Sequence, residues 1–123
     1  MEDFISLKDD GAVKKKIIIE GEGESPKEGD FVVVNYKLCS LEGKTHGEGS
    51  DEIFEIGKRK FTISFDLAVL SMKKGEKATI ISTPKFAFGI IGATPGIPPN
   101  TGIIWEIELL KFGTKEEIYI YNI

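Results

Sequence analysis

Histidine, cysteine and tryptophan occur once each, as His46, Cys39 and Trp105, in a chain of 123 residues. A single His with a single Cys cannot assemble a zinc site of the usual Cys/His kind. The pair also leaves one imidazole, at most, to serve as base for a Ser or Cys nucleophile. A basic excess is missing as well: 16 Lys and Arg against 20 Asp and Glu give a net charge of -4. That balance is the opposite of a phosphate-binding surface. Long apolar runs are absent too. The stretch Ile17-Ile18-Ile19 falls far short of the ~20 residues a membrane span needs. The first ten residues are acidic where a signal peptide is basic, and they lack an apolar core. The expectation is a protein of the cytosol or nucleus with a reduced thiol, needing no metal or cofactor and meeting neither nucleic acid nor membrane.

What remains is an ordinary globular balance, 41% hydrophobic and 29% charged, in a chain long enough for one domain with its own core. Eight Phe, three Tyr and fourteen Gly direct any chemistry toward shape, apolar surface and backbone groups. Val32, Val34, Tyr36 and Leu38 alternate with Asn35 and Lys37; Ile103, Trp105, Ile107 and Leu109 alternate with Glu106 and Glu108. A period of two with one polar face predicts half-buried antiparallel strands. Residues 12–19, 52–56 and 77–83 read as further strands. Phe61, Phe65, Ala68, Val69 and Met72 recur instead at helical spacing, which predicts a short helix with one apolar face. Ser64 reads as its N-cap, with Lys73, Lys74 and Gly75 closing it. The predicted class is α+β, an antiparallel sheet of five to six strands wrapped around one short helix.

Four of the five prolines fall between Pro84 and Pro99, interleaved with Phe86, Phe88, Ile90, Ile91 and Ile97 in no regular period. A long loop this apolar is expected to fold over a pocket. Here the chain resembles a known family. The string Phe86-Ala87-Phe88-Gly89, then Pro95-Gly96-Ile97-Pro98-Pro99-Asn100-Thr101 and Trp105-Glu106-Ile107-Glu108-Leu109-Leu110, resembles the closing motif of the FKBP family, the tacrolimus-binding peptidyl-prolyl isomerases. Gly21-Glu22-Gly23, Pro26 with Gly29, Val34-Asn35-Tyr36, Leu41-Glu42-Gly43-Lys44 and Met72-Lys73-Lys74-Gly75-Glu76 lie in register with it. The resemblance spans residues 11–112, leaving 1–10 as an extension and 113–123 as a tail or the start of a linker.

That resemblance implies rotation of X-Pro bonds, whose amide resonance sets a barrier of roughly 18–20 kcal/mol. A dry aromatic pocket favours the twisted, less polar transition state without nucleophile or metal. By register, the implied pocket is Tyr36, His46, Phe61, Thr62, Phe65, Phe88, Ile97 and Trp105. Tyr36 matches a wall tyrosine and Ile97 the loop isoleucine beside the proline ring. Trp105 stands where Phe is usual, and Phe65 forms the floor where Trp is usual. Phe61-Thr62 replaces a Val-Ile pair whose second amide donates to ligand. Phe88 replaces a Tyr whose hydroxyl bonds the ligand, His46-Gly47 an aromatic-Asp pair, and Glu52 another aromatic. Two polar handles are therefore missing, at Phe88 and Gly47. Each hydrogen bond lost to a desolvated group costs about 1–3 kcal/mol, so losing both predicts binding and turnover weaker by roughly two orders of magnitude.

This pattern resembles the divergent FKBP domains of multi-domain co-chaperone immunophilins. The implied partners are proline-containing peptides or client proteins, macrolides such as tacrolimus and rapamycin held weakly, and heat-shock chaperones where a tetratricopeptide array follows. Two functions stand open, a weakened isomerase and a non-catalytic interaction module. A small β-rich carrier of apolar ligands would share the aromatic pocket but gives no reason for the Pro95–Pro99 loop. His46 follows a turn, where an imidazole is ordinarily solvated. Cys39 reads as a small filler and Lys14-Lys15-Lys16 as a solvated face. The Ile/Tyr alternation in residues 118–123 suits a linker, an added strand or a contact with another copy.

Overall fold

The computed structural model describes residues 3–58, 61–89, 92 and 97–120. Six strands form one antiparallel sheet: β1 (Ile5–Lys8), β2 (Val13–Ile19), β3 (Phe31–Ser40), β4 (Thr45–Glu55), β5 (Lys77–Ser82) and β6 (Ile103–Gly113), in the order β1-β2-β5-β6-β3-β4. Helix α1 (Ile63–Ser71) packs against one face of it, and a short α2 (Lys115–Tyr119) follows β6. The expected α+β class holds, with the larger strand number. Residues 5–8, read as part of an extension, form an edge strand on β2.

The alternation expected for β3 and β6 is the observed one. Val32, Val34, Leu38, Ile103, Trp105, Ile107 and Leu109 are all buried. Trp105 lies between Leu38 on β3 and Ile80 on β5, its partners in the two flanking ladders. Pairing of β3 with β4 is interrupted between Val34 and Tyr36. Asn35 bridges that irregularity: its Oδ1 accepts from the Asp51 N–H at 2.9 Å and its Nδ2 donates to Glu108 Oε1 at 3.2 Å. Asp51, at φ +53, takes up the turn of the chain there.

Helix α1 departs from expectation in three ways. No residue of Ile63–Ser71 is exposed, so the helix is enclosed on every side. Its N-cap is Thr62, whose Oγ1 accepts from the Phe65 N–H at 3.2 Å; Ser64 lies inside the first turn, fully buried, with its hydroxyl 2.9 Å from that of Thr62. Thr and Ser are both good caps, and the one with extended backbone takes the role. At the other end the helix stops at Ser71 before an extended Met72, and Gly75 (φ +86) serves a later turn whose N–H donates to the Leu109 carbonyl at 2.7 Å.

The cation at the helix C-terminus is Lys15, not Lys73 or Lys74. Lys15, expected on a solvated face, is buried; its Nζ donates to the Ser71 carbonyl at 3.1 Å and to Glu76 Oε2 at 2.8 Å. The Glu76 Oε1 accepts from the Lys73 N–H at 3.2 Å. One ion pair thus joins β2, the end of α1 and the approach to β5. The tail also differs from its alternation: Thr114 and Glu117 form a reciprocal capping box that starts α2, burying Ile118 and setting Tyr119 edge-on to Phe31 at 5.7 Å. Tyr121–Ile123 lie outside the described residues.

Breaking one side of a buried ion pair leaves an uncompensated charge, so Lys15→Met alone should cost about 3–5 kcal/mol in urea unfolding. The double variant Lys15→Met with Glu76→Leu should recover most of that loss, and the two curves together measure the pair.

Candidate functional site: an aromatic cluster at the helix entrance

Five rings meet where the buried face of the sheet receives the N-terminal end of α1. Tyr36 comes from β3, Phe54 from β4, Trp105 from β6, Phe65 from the first turn of α1, and Phe61 from the residue just before the Thr62 cap. Phe61 sits among the others, its centroid 4.8 Å from Phe54, 4.9 Å from Tyr36, 5.1 Å from Phe65 and 5.1 Å from Trp105. Phe65 and Trp105 meet at 5.2 Å and 64°. Tyr36 lies 6.0 Å from Trp105 and 6.1 Å from Phe54. These edge-on and tilted arrangements suit the ring quadrupoles, each pair adding about 0.5–1.5 kcal/mol beyond burial.

The cluster is layered. Trp105 and Phe65 form its floor at 0% and 2% exposure, while Phe61 and Tyr36 are half-buried above them. The Tyr36 ring lies against Gly49 on β4, where a Cβ would come within 2.6 Å of its Cε1. Only glycine gives that ring its place. Burial, and then the exposed Glu52 carboxylate, push the Tyr36 phenol above its ordinary pKa of 10.0. The hydroxyl therefore stays protonated, and a donor, throughout neutral pH. The Trp105 indole N–H is buried, and among the described residues nothing accepts its hydrogen.

Tyr36, Phe61, Phe65 and Trp105 are thus brought together. Thr62 lies directly beside them, but its hydroxyl is committed to the helix cap, so any contact with ligand falls to its backbone N–H. Ile97 is buried in the same core. It also borders a neighbouring cavity of 390 Å³ whose apolar side includes Pro98 and Ile103 and whose polar rim is His46, Glu42 and Lys44. His46 therefore stands at this flanking cavity rather than among the rings. Phe88 packs on the core from the loop that begins with the turn Pro84–Phe86, and among the described residues it forms no ring pair with the cluster. Ile90, Ile91 and residues 93–96 of that loop lie outside the described residues. Phe54 was not anticipated, although it shares the inward parity of Ile56 on a strand the sequence did reveal.

The fold that carries this ring cluster is shared with proteins already known. The family model for FKBP-type peptidyl-prolyl cis-trans isomerase matches residues 22–110. The chain belongs to the FKBP family. It is 39% identical over 113 residues to "Peptidyl-prolyl cis-trans isomerase FKBP4" of Bos taurus, covering 88% of this chain and 25% of that protein. It is 36% identical over 104 residues to "FK506-binding protein 1A" of Emericella nidulans, covering 80% of this chain and 96% of that one. Among solved structures, part of the structure of the three FKBP domains of wheat FKBP73 superposes with a TM-score of 0.85 at 30% identity, over 90% of this chain and 48% of that one. FkpA from Escherichia coli gives a TM-score of 0.80 at 28% identity, over 93% and 53%. The chain therefore spans one quarter of the length of FKBP4, and the FKBP domain is what the two share.

The raised Tyr36 pKa carries a sign. A phenol whose folded pKa exceeds its unfolded value favours folding while protonated, and that contribution fades as pH rises above 10. Among the three tyrosines, phenolate absorbance should show Tyr36 titrating above the free value, identified by its loss in Tyr36→Phe. Glu52→Gln should lower that pKa by removing the secondary, charge-based cause.

Proposed function

We propose that this domain is a peptidyl-prolyl cis-trans isomerase of weakened activity, holding the X-Pro unit against the ring cluster of Tyr36, Phe65 and Trp105 with Ile97 beside it. The observation that carries this reading is the buried aromatic floor, which supplies the dry surface that a twisted amide prefers to water. The Tyr36 hydroxyl and the Thr62 N–H are the polar groups this reading assigns to the ligand. No acid, base or metal is required, because the reaction makes and breaks no covalent bond.

Weakness follows from the two missing handles. Phe88 brings no hydroxyl, and Gly47 no carboxylate. The backbone at Gly47 has room for one: a Cβ there meets nothing within 4 Å. Those same replacements favour the second reading, a non-catalytic module that binds proline-containing segments of client proteins. In either case the setting is the cytosol or nucleus, and macrolides such as tacrolimus bind weakly. Beside a tetratricopeptide array in a longer parent chain, the domain would serve a co-chaperone of heat-shock proteins.

Turnover of a proline-containing tetrapeptide separates the two readings. The isomerase reading expects measurable but slow catalysis, and Phe88→Tyr combined with Gly47→Asp should raise kcat/KM by about tenfold or more, at ~1.4 kcal/mol per decade. Absence of turnover in the parent and the double variant, with binding retained, would establish the module instead. Tacrolimus affinity, followed by fluorescence of the sole tryptophan, should rise in parallel with kcat/KM.

A further inference from the structure

The ring cluster is closed. A centroid separation of 5.1 Å between Phe61 and Phe65, and again between Phe61 and Trp105, is van der Waals contact. No proline ring fits between surfaces already touching. The position above the floor, where the isomerase reading seats the substrate proline, is held by the protein's own Phe61. We infer that Phe61 is a displaceable plug in the proline pocket, and that an X-Pro segment engages Phe65 and Trp105 only after this ring swings aside. The inference rests on the isomerase reading and adds the gate that governs entry to its site.

Three features make the ring displaceable. Phe61 is half-buried, so one side already faces solvent while Phe65 and Trp105 beneath it are sealed. It precedes the helix, whose start is held independently by the Thr62 cap and the Thr62–Ser64 hydroxyl contact. Rotation about its side chain therefore need not unwind α1. The closed arrangement also leaves the Trp105 indole N–H buried without an acceptor among the described residues. A ring cannot satisfy that donor as a carbonyl does. An X-Pro segment brings a carbonyl next to its proline ring and so offers the open state an interaction that the closed state lacks. That difference is what allows a ligand to shift the equilibrium.

The plug lowers apparent affinity rather than sorting substrates. Apparent affinity is the intrinsic affinity reduced by the fraction of molecules with the ring out, so every X-Pro segment that needs the open state is weakened by the same factor.

The test is Phe61→Val, with Phe61→Leu as a second variant should the first fold poorly, each compared with the parent at equal folded fraction. Steady-state kinetics on a proline-containing tetrapeptide should show KM falling and kcat/KM rising about tenfold in Phe61→Val, with a smaller gain in Phe61→Leu. Hydrogen exchange of the single indole N–H should quicken. Adding Trp105→Phe to Phe61→Val should return part of the gain. If the parent turns the peptide over and neither variant improves on it, the plug is overturned and the isomerase reading stands. If indole exchange quickens but neither parent nor variants bind or turn over the peptide, the isomerase reading falls, and the gate with it.

Discussion

Everything in this domain depends on how one short helix is held against the sheet. The contact of Phe65 with Trp105, at 5.2 Å, joins α1 to the central strand β6, and Phe61, Tyr36 and Phe54 pack around it. Because α1 has no exposed residue, its surroundings exclude water beside the proposed site. Fold and proposed function thus draw on the same rings. Residues of the site cannot be changed without changing the core, and a dry aromatic surface comes with the packing itself.

The other end of the helix is held by charge. Lys15 and Glu76 lie 2.8 Å apart, both buried, and the lysine also caps the last carbonyl of α1. Desolvating such a pair is costly, and its gain over an apolar substitute is small. Its value is geometric, since it fixes where the helix ends relative to β2 and β5. The polar tie at one end and the aromatic packing at the other set the axis of α1, and with it the placement of Phe65 beneath the site.

Much of this was legible in the sequence. The period of two in β3 and β6 placed Val34, Tyr36, Trp105 and Leu109 inward, and the interruption around Phe65 marked the helix. Lys15 is hidden within a run of three lysines that looks like one solvated surface, although its parity with Val13 and Ile17 points inward. The 52–56 strand is visible in the sequence, but its short alternation gives no sign that Phe54 joins the ring cluster. In the tail, the Thr114–Glu117 capping box outweighs an alternation of Ile and Tyr, because satisfied N–H groups at a helix start are worth more than a pattern with no partner strand. Residues 5–8 carry too short a pattern to reveal an edge strand. Closure of the ring cluster was not legible at all. It arises from packing between residues as distant as 36, 61 and 105, which spacing alone cannot supply.

The sole tryptophan gives the most direct test of the account. Its indole N–H provides a single signal at the floor of the proposed site, so titration with a proline-containing tetrapeptide can be followed at that one proton. If X-Pro segments bind here, this signal should shift saturably, with the same dissociation constant as shifts in the signals of Tyr36 and Phe65. A peptide that binds or is isomerised while the Trp105 signal stays unmoved would place the chemistry elsewhere and contradict it.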